Sequence, residues 1–271
     1  VTTNVYSLKI GAVRITVVPD AISPLTEDRI IDRFPNITDE QLAHFRSIPD
    51  QGSAMNTAVF ESGGPRMLID TGMGAKHKPT HGHLLDRLAE AGIAPESIDI
   101  VFITHFHGDH VSGVLDENGG VNFPNAEIVV SSAEKAAYDA GVFPNPAVKA
   151  MIDGAGSRLR MVEDGTEVIP NVRTHLMTGH SPGHTGLVVE SQGEKLLHVV
   201  DTLHYLVQMR YPNLSPTFDY DPTLAALTRR GVLGQAADEG WTVLAYHLPF
   251  PGVGTVTRDG DGFVWHGVNV P

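Results

Sequence analysis

The sequence predicts an α+β fold in which two mixed β-sheets pack face to face and helices cover their outer faces. Three observations lead there. Segments with strand periodicity outnumber those with helical periodicity, helical stretches fall in both halves of the chain, and the second half repeats the rhythm of the first. The 271 residues hold no low-complexity tract, short-period repeat or linker, so the chain reads as one domain over residues 1–271.

Residues 6–18 alternate apolar and polar about Gly11, with Tyr6, Leu8, Ile10 and then Val13, Ile15, Val17 in phase, as in a hairpin. Residues 26–48 are polar, broken by proline and helical only in short pieces (EDRIIDRF, TDEQLAHFRS), so the block 21–54 is expected to form an excursion or lid. A second hairpin turns at Gly63-Gly64-Pro65, and its outgoing strand, RMLID, delivers Asp70 to a strand end. Leu84, Leu85, Leu88 and Ala91 recur at helical spacing before Gly92, a C-cap signal. The apolar run 98–103 then leads into Thr104-His105.

In the second half, AEIVV is a strand, Ser131-x-x-Glu134 reads as a capping box, and helix continues to about residue 158. VRTHLMT, GLVVES, KLLHVVD and TVLAYH are strands, a helix covers about 221–237, and the closing hairpin turns at 259–262.

A net charge of −13 opposes phosphate backbones and anionic membrane surfaces, so neither nucleic acid nor membrane is expected as a partner. No apolar run reaches the roughly 18 residues of a membrane span. Zero cysteines remove disulfides, thiolate metal sites and a cysteine nucleophile. The compartment is left open: a cytoplasmic one is favoured, and a processed secreted or periplasmic form is also compatible.

The informative segment is THFHGDH at 104–110, four potential metal ligands within six positions directly after an apolar strand. Imidazole and carboxylate donors suit Zn, Mn, Fe, Co or Ni. By contrast, His77, His81 and His83 in KHKPTHGH have no accompanying strand end or carboxylate and read as a solvated loop near the site mouth. His44, His175, His198 and His266 are isolated, with His175 and His198 inside strands. Phe106 and Phe250 are candidates for a pocket wall, Phe106 equally for the core. Ser181 is set aside as a serine nucleophile, because the residues around it are better employed on metal.

With LIDTG at 68–72, THFHGDHVSG, TGHSPGHTG at 178–186, HVVDT and AYHLPFPGVG in this order, the chain resembles the metallo-β-lactamase superfamily over nearly its whole length. HLPFPGVG, FPNAEI and FDYDPTLAALTRR look most like its methyl parathion hydrolase and lactonase branch. The resemblance implies the αβ/βα sandwich and two divalent metal ions, zinc first among the candidates. His105, His107 and His180 would hold one ion and Asp109, His110 and His247 the other, with Asp201 bridging. His184 would then be supporting, and Asp70 would orient a ligand imidazole.

The implied activity is opening of lactones or esters, N-acyl homoserine lactones among them, by a metal-bridging hydroxide, with phosphotriesters as a side or main activity. An iron-dependent oxidoreductase on the same fold is the alternative from another class. Asp109 would orient the nucleophile and shuttle its proton, and His204 or Tyr205 would donate to the oxyanion. The branch also implies a small-molecule substrate and a homodimer.

Overall fold

The computed structural model describes residues 4–49, 52–74 and 79–268. Two seven-stranded sheets form the sandwich, and their strand orders mirror each other. The first runs β1 (Tyr6–Ile10), β2 (Val13–Pro24), β3 (Gly52–Glu61), β4 (Arg66–Ile69), β5 (Ile100–Ile103), β6 (Glu127–Ser131) and β7 (Leu159–Val162). Its first four strands are antiparallel neighbours and β4 to β7 are parallel. The second is ordered β14 (Gly262–Gly267), β13 (Val253–Asp259), β12 (Thr242–Ala245), β11 (Glu194–Val200), β10 (Thr185–Ser191), β9 (Val172–Leu176) and β8 (Glu167–Ile169). Only β11 and β12 pair in parallel there.

The two-residue period of the central strands divides their side chains between two apolar layers, because successive side chains point to opposite faces. In β5, Ile100 and Phe102 enter the core between the sheets, whereas Val101 and Ile103 enter a second core on the outer face. In β11, Leu196 belongs to the inter-sheet core and Leu197 and Val199 to the outer one. Strands buried on both faces read as unbroken apolar runs, as the sequence shows.

The outer face of the first sheet is covered by α3 (Leu84–Glu90) and α6 (Pro146–Ala155), and that of the second by α8 (Pro222–Glu239). Gly11 joins the sheets: its φ is +53°, and a Cβ there would collide with the Ser191 carbonyl.

β2 and β3 pair as far as Pro24 with Gly52, so strand extends into both ends of the 21–54 block. Between them lie α1 (Glu27–Arg33) and α2 (Asp39–Ser47). Leu25, Ile30, Phe34 and Phe45 form a satellite core with Tyr205 and with Val207, the first residue of α7 (Val207–Arg210). The helical stretch expected to about residue 158 divides into α5 (Ser132–Asp139) and α6, because Gly141 turns left-handed and Pro146 starts a new helix.

The capping box is half formed. Ser131 accepts the Glu134 N–H, but the Glu134 carboxylate turns away from Ser131. The short strands β7 and β8 are additions to the sequence reading.

Candidate metal centre

The histidine-rich turn is held from below. All four residues of β5 are buried, and α4 (Gly108–Val111) starts with His107 as its N-cap. Asp70, just past β4, is fully buried with φ +59°, an uncommon conformation for a residue with a side chain. Its carboxylate accepts the Thr104 N–H at 2.9 Å, the Thr104 hydroxyl at 2.8 Å and His110 Nδ1–H at 2.8 Å. One strained residue thus locks the turn and aims His110 Nε2 outward, the support expected of Asp70.

His180 lies on the turn between β9 and β10, and its Nδ1–H donates to Asp219 at 2.8 Å. Asp219 in turn lies 3.4 Å from the guanidinium of Arg229, a fully buried residue of α8. Arg229 also donates to the carbonyls of Thr202, Pro212 and Leu214 at 2.6, 2.8 and 3.1 Å. His247 follows β12 and donates Nδ1–H to the Ala54 carbonyl at 3.2 Å. Asn56 of β3 pins that loop through the carbonyls of Ala245 and Leu248.

Asp201 follows Val200, a β-branched residue at φ +47°. Its N–H donates to His184 Nε2 at 3.1 Å, and His184 Nδ1–H donates to the Met177 carbonyl at 2.9 Å. Both nitrogens of His184 are engaged, so it supports the Asp201 backbone and has no lone pair to spare. Burial pushes its pKa down to about 3.

His105 Nδ1 lies 3.1 Å from the Thr104 hydroxyl, and the inner nitrogens converge. His105 Nε2, His107 Nδ1 and His180 Nε2 lie 3.0, 3.2 and 2.9 Å apart pairwise. Asp201 Oδ2 sits 3.1 Å from His204 Nε2, 3.2 Å from His247 Nε2, 3.3 Å from His110 and His180, and 3.7 Å from His105. Asp109 Oδ2 lies 3.4 Å from His247 and 3.7 Å from His110.

Among the described residues, three groupings bring one donor atom from each residue within 4.8 Å of one another. They are His105, His107, His180 and Asp201; Asp109, His110 and His247; and Asp201, His204 and His247.

These side chains fit divalent cations. His110 Nε2 and Asp201 Oδ1 are buried without a hydrogen-bond partner, and such orphaned atoms are rare in folded proteins. Nitrogen and oxygen donors without thiolate suit zinc and other first-row ions. The charge pattern agrees. Burial and the neighbouring His180 push His107 down to about 3. Burial would also lower His247, but the carboxylates of Asp201 and Asp109 outweigh it and hold it up at about 9. Protons here balance buried carboxylates, a role that metal cations would take over.

The cluster forms the floor of a cavity of about 490 Å³. Asp109, Asp201, His204 and His247 reach it from below, and Met55, Met73, Tyr205 and Phe218 line its sides. His204 is buried, its ring stacked 5.1 Å from His247 and its Nδ1 without a partner. Arg29 and Arg33 of α1 complete the wall, Arg33 lying over the Phe218 ring.

The sequence reading placed the histidine loops together and missed Asp219, Arg229, Glu134, Arg29 and Arg33. His81 lines the cavity, His83 is tied to the Pro79 carbonyl, and His77 lies outside the described residues. His198 is a core residue of β11. Neither phenylalanine lines the cavity: Phe106 is buried against Tyr138, and Phe250 packs on the inter-sheet core. Ser181 is buried outside the cavity lining with its hydroxyl donated to Glu134, so it does not reach a substrate.

Comparison with known proteins follows the same lines. The N-acyl homoserine lactonase of Bacillus cereus is 28% identical over 178 residues, 59% of this chain and 67% of that protein. Alignments with the first curated relatives span 52 to 67% of their lengths. Among solved structures, AidC, a dizinc quorum-quenching lactonase in complex with a product, superposes with a TM-score of 0.88 at 25% identity, covering 98% of this chain and 97% of that one. AbOPH, a hydrolase of the β-lactamase superfamily, gives 0.86 at 26% identity, with 98% of each chain covered. The family model of the metallo-β-lactamase superfamily matches residues 52–247, which span β3 through His247 and include every strand-end loop of the cluster. The chain belongs to the metallo-β-lactamase superfamily.

Proposed function

We propose that this protein is a dinuclear metal-dependent hydrolase that opens lactone rings, N-acyl homoserine lactones being the favoured class. The observation that carries the reading is Asp201 Oδ2, which lies between two sets of imidazoles on the floor of an open cavity. His105, His107 and His180 would hold one ion and Asp109, His110 and His247 the other, with Asp201 available to both. Zinc is the favoured metal, supported by the dizinc relative.

When bound, the two ions supply Lewis acidity at the substrate oxygen and a water made nucleophilic near neutral pH. Asp109, its side chain 24% exposed and facing the cavity, takes a proton and returns it to the leaving alkoxide. Tyr205 and His204 line the cavity beside Asp201 and would donate to the charge developing on a bound carbonyl oxygen. Met55, Met73 and Phe218 offer apolar surface to an acyl chain. The helix α1, held together with α2 by their satellite core, walls the cavity through Arg29 and Arg33 and acts as its lid.

The test is a pH-indicator assay on zinc-loaded protein, comparing kcat/KM for N-hexanoyl-homoserine lactone, a simple γ-lactone, an aryl ester, a phosphotriester and a β-lactam. The reading expects the lactones to lead by at least about tenfold, the order of one pocket contact. A phosphotriester lead, or silence across the panel, would sink it.

A further inference from the structure

Glu134 stands where a helix-capping glutamate is expected, at the third residue of α5, yet its carboxylate serves another purpose. It is 1% exposed. One oxygen accepts the Phe106 N–H at 2.9 Å, inside the turn that carries His105 and His107. The other accepts the Ser181 hydroxyl at 2.7 Å and the Gly183 N–H at 2.8 Å, in the turn that carries His180. These turns are joined otherwise by the Thr185 N–H to Thr104 carbonyl bond at 3.0 Å. Gly183 is shaped to the same contact, since a Cβ there would collide with the backbone nitrogen of Glu134.

Resting on the metal-centre reading above, we infer that Glu134 is a positioning residue that sets the distance between the His105–His107 pair and His180, and so tunes the affinity of the site they form. Three nitrogens from two turns must meet at one ion, and zinc binding tolerates only tenths of an ångström in each distance. The turns come from different sheets, so the register between them depends on whatever spans them. A buried carboxylate accepting three hydrogen bonds is a strong, short-range spacer. Glu134 does not line the cavity, so it acts on chemistry only through the imidazoles.

Glu134→Gln separates this role from bulk packing. The amide has nearly the same shape but only one acceptor oxygen. If its NH2 replaces the first oxygen, it faces the Phe106 N–H. If it replaces the second, it faces the Gly183 N–H, although the Ser181 hydroxyl can rotate to accept. The first orientation releases the His105–His107 turn, and the second leaves the His180 turn held through Ser181 alone.

The experiment uses metal-stripped full-length protein. Zinc affinity is read by competition with a chromophoric chelator, and site geometry by the visible absorption of the cobalt(II) form. Glu134→Gln is expected to weaken zinc binding by roughly tenfold to a hundredfold, the range for supporting partners of metal ligands. The cobalt absorption should shift, and with excess zinc kcat should fall while KM stays within about twofold, because the loss lies in transition-state stabilisation.

Ser181→Ala, which removes one donor and keeps both backbone bonds, should lose only a few-fold in affinity. Wild-type zinc affinity together with an unchanged cobalt spectrum in Glu134→Gln would overturn the inference. If that variant does not fold, Ser181→Ala decides, with an unchanged affinity counting against it. A wild-type chain that takes up no zinc would instead overturn the metal-centre reading itself.

Discussion

Asp219 was invisible in the sequence and stands behind His180, so its removal probes how the site is held. In Asp219→Asn the amide oxygen can still accept His180 Nδ1–H, but the negative charge is gone and an NH2 faces the Arg229 guanidinium, now 3.4 Å from a carboxylate oxygen. Two effects follow. A neutral partner makes the His180 imidazole less basic, and loss of such a partner weakens metal binding by about tenfold to a hundredfold, or about 1.4–2.7 kcal/mol.

Separately, a buried charge that loses its counter-ion destabilises a protein by about 3–5 kcal/mol. Arg229 keeps three carbonyl acceptors, which places the expected loss at the low end, about 3 kcal/mol. Zinc competition gives the first quantity, and urea unfolding of the metal-free chain gives the second. Zinc affinity within twofold of wild type would refute the claim that Asp219 supports a ligand, whatever the stability change.

His204 and Tyr205 separate binding from chemistry. If His204 is a donor to substrate, His204→Asn keeps two zinc ions by elemental analysis and lowers kcat about a hundredfold, within the usual range for a positioned acid or base. Loss of one ion would make it a ligand, as its grouping with Asp201 and His247 allows. Tyr205→Phe should lower kcat/KM by about tenfold, or about 1.4 kcal/mol, with the metal content unchanged.

His198 controls acid stability. Burial holds its pKa down at about 3, against 6.5 for the free side chain. The unfolded chain therefore binds one more proton below pH 6.5, so the stability contribution is complete above that pH and lost as pH falls toward 3. Between pH 7 and pH 5 the loss is about 2 kcal/mol. Denaturant melts of wild type and His198→Asn at these pH values should differ in slope by that amount, and parallel slopes would contradict the assignment.

Legibility followed sequence distance. The HxHxDH turn places ligands within six residues, and the apolar run before it marks a strand end, so both its chemistry and its place were readable. Asp70 was readable for the same reason, as the last residue of an apolar strand in LIDTG. Asp219 and Glu134 act across 39 residues and across 28 to 49 residues respectively, and nothing local marks such a partner.

Glu134 carried a misleading local signal. Ser131-x-x-Glu134 predicted a reciprocal cap, and the fold kept the serine half while directing the carboxylate to stronger buried donors. The helices 27–47 were legible as helices, but the placement of Arg29 and Arg33 depends on Ile30, Phe34 and Phe45 packing against Tyr205 and Val207, contacts that no periodicity encodes. The burial of β5 on both faces was legible as the unbroken apolar run 100–103, whereas β7 and β8, of four and three residues with one buried in each, left too little pattern to read.

The central claim is that two ions, held by His105, His107 and His180 and by Asp109, His110 and His247 around Asp201, open a lactone. Stepwise zinc titration of the metal-free protein, with bound metal and hydrolysis of N-hexanoyl-homoserine lactone followed together, tests it most directly. The account predicts no turnover without metal, two equivalents bound, and maximal turnover only as the second is taken up. Full turnover at one equivalent, or two bound ions with no hydrolysis, would contradict it.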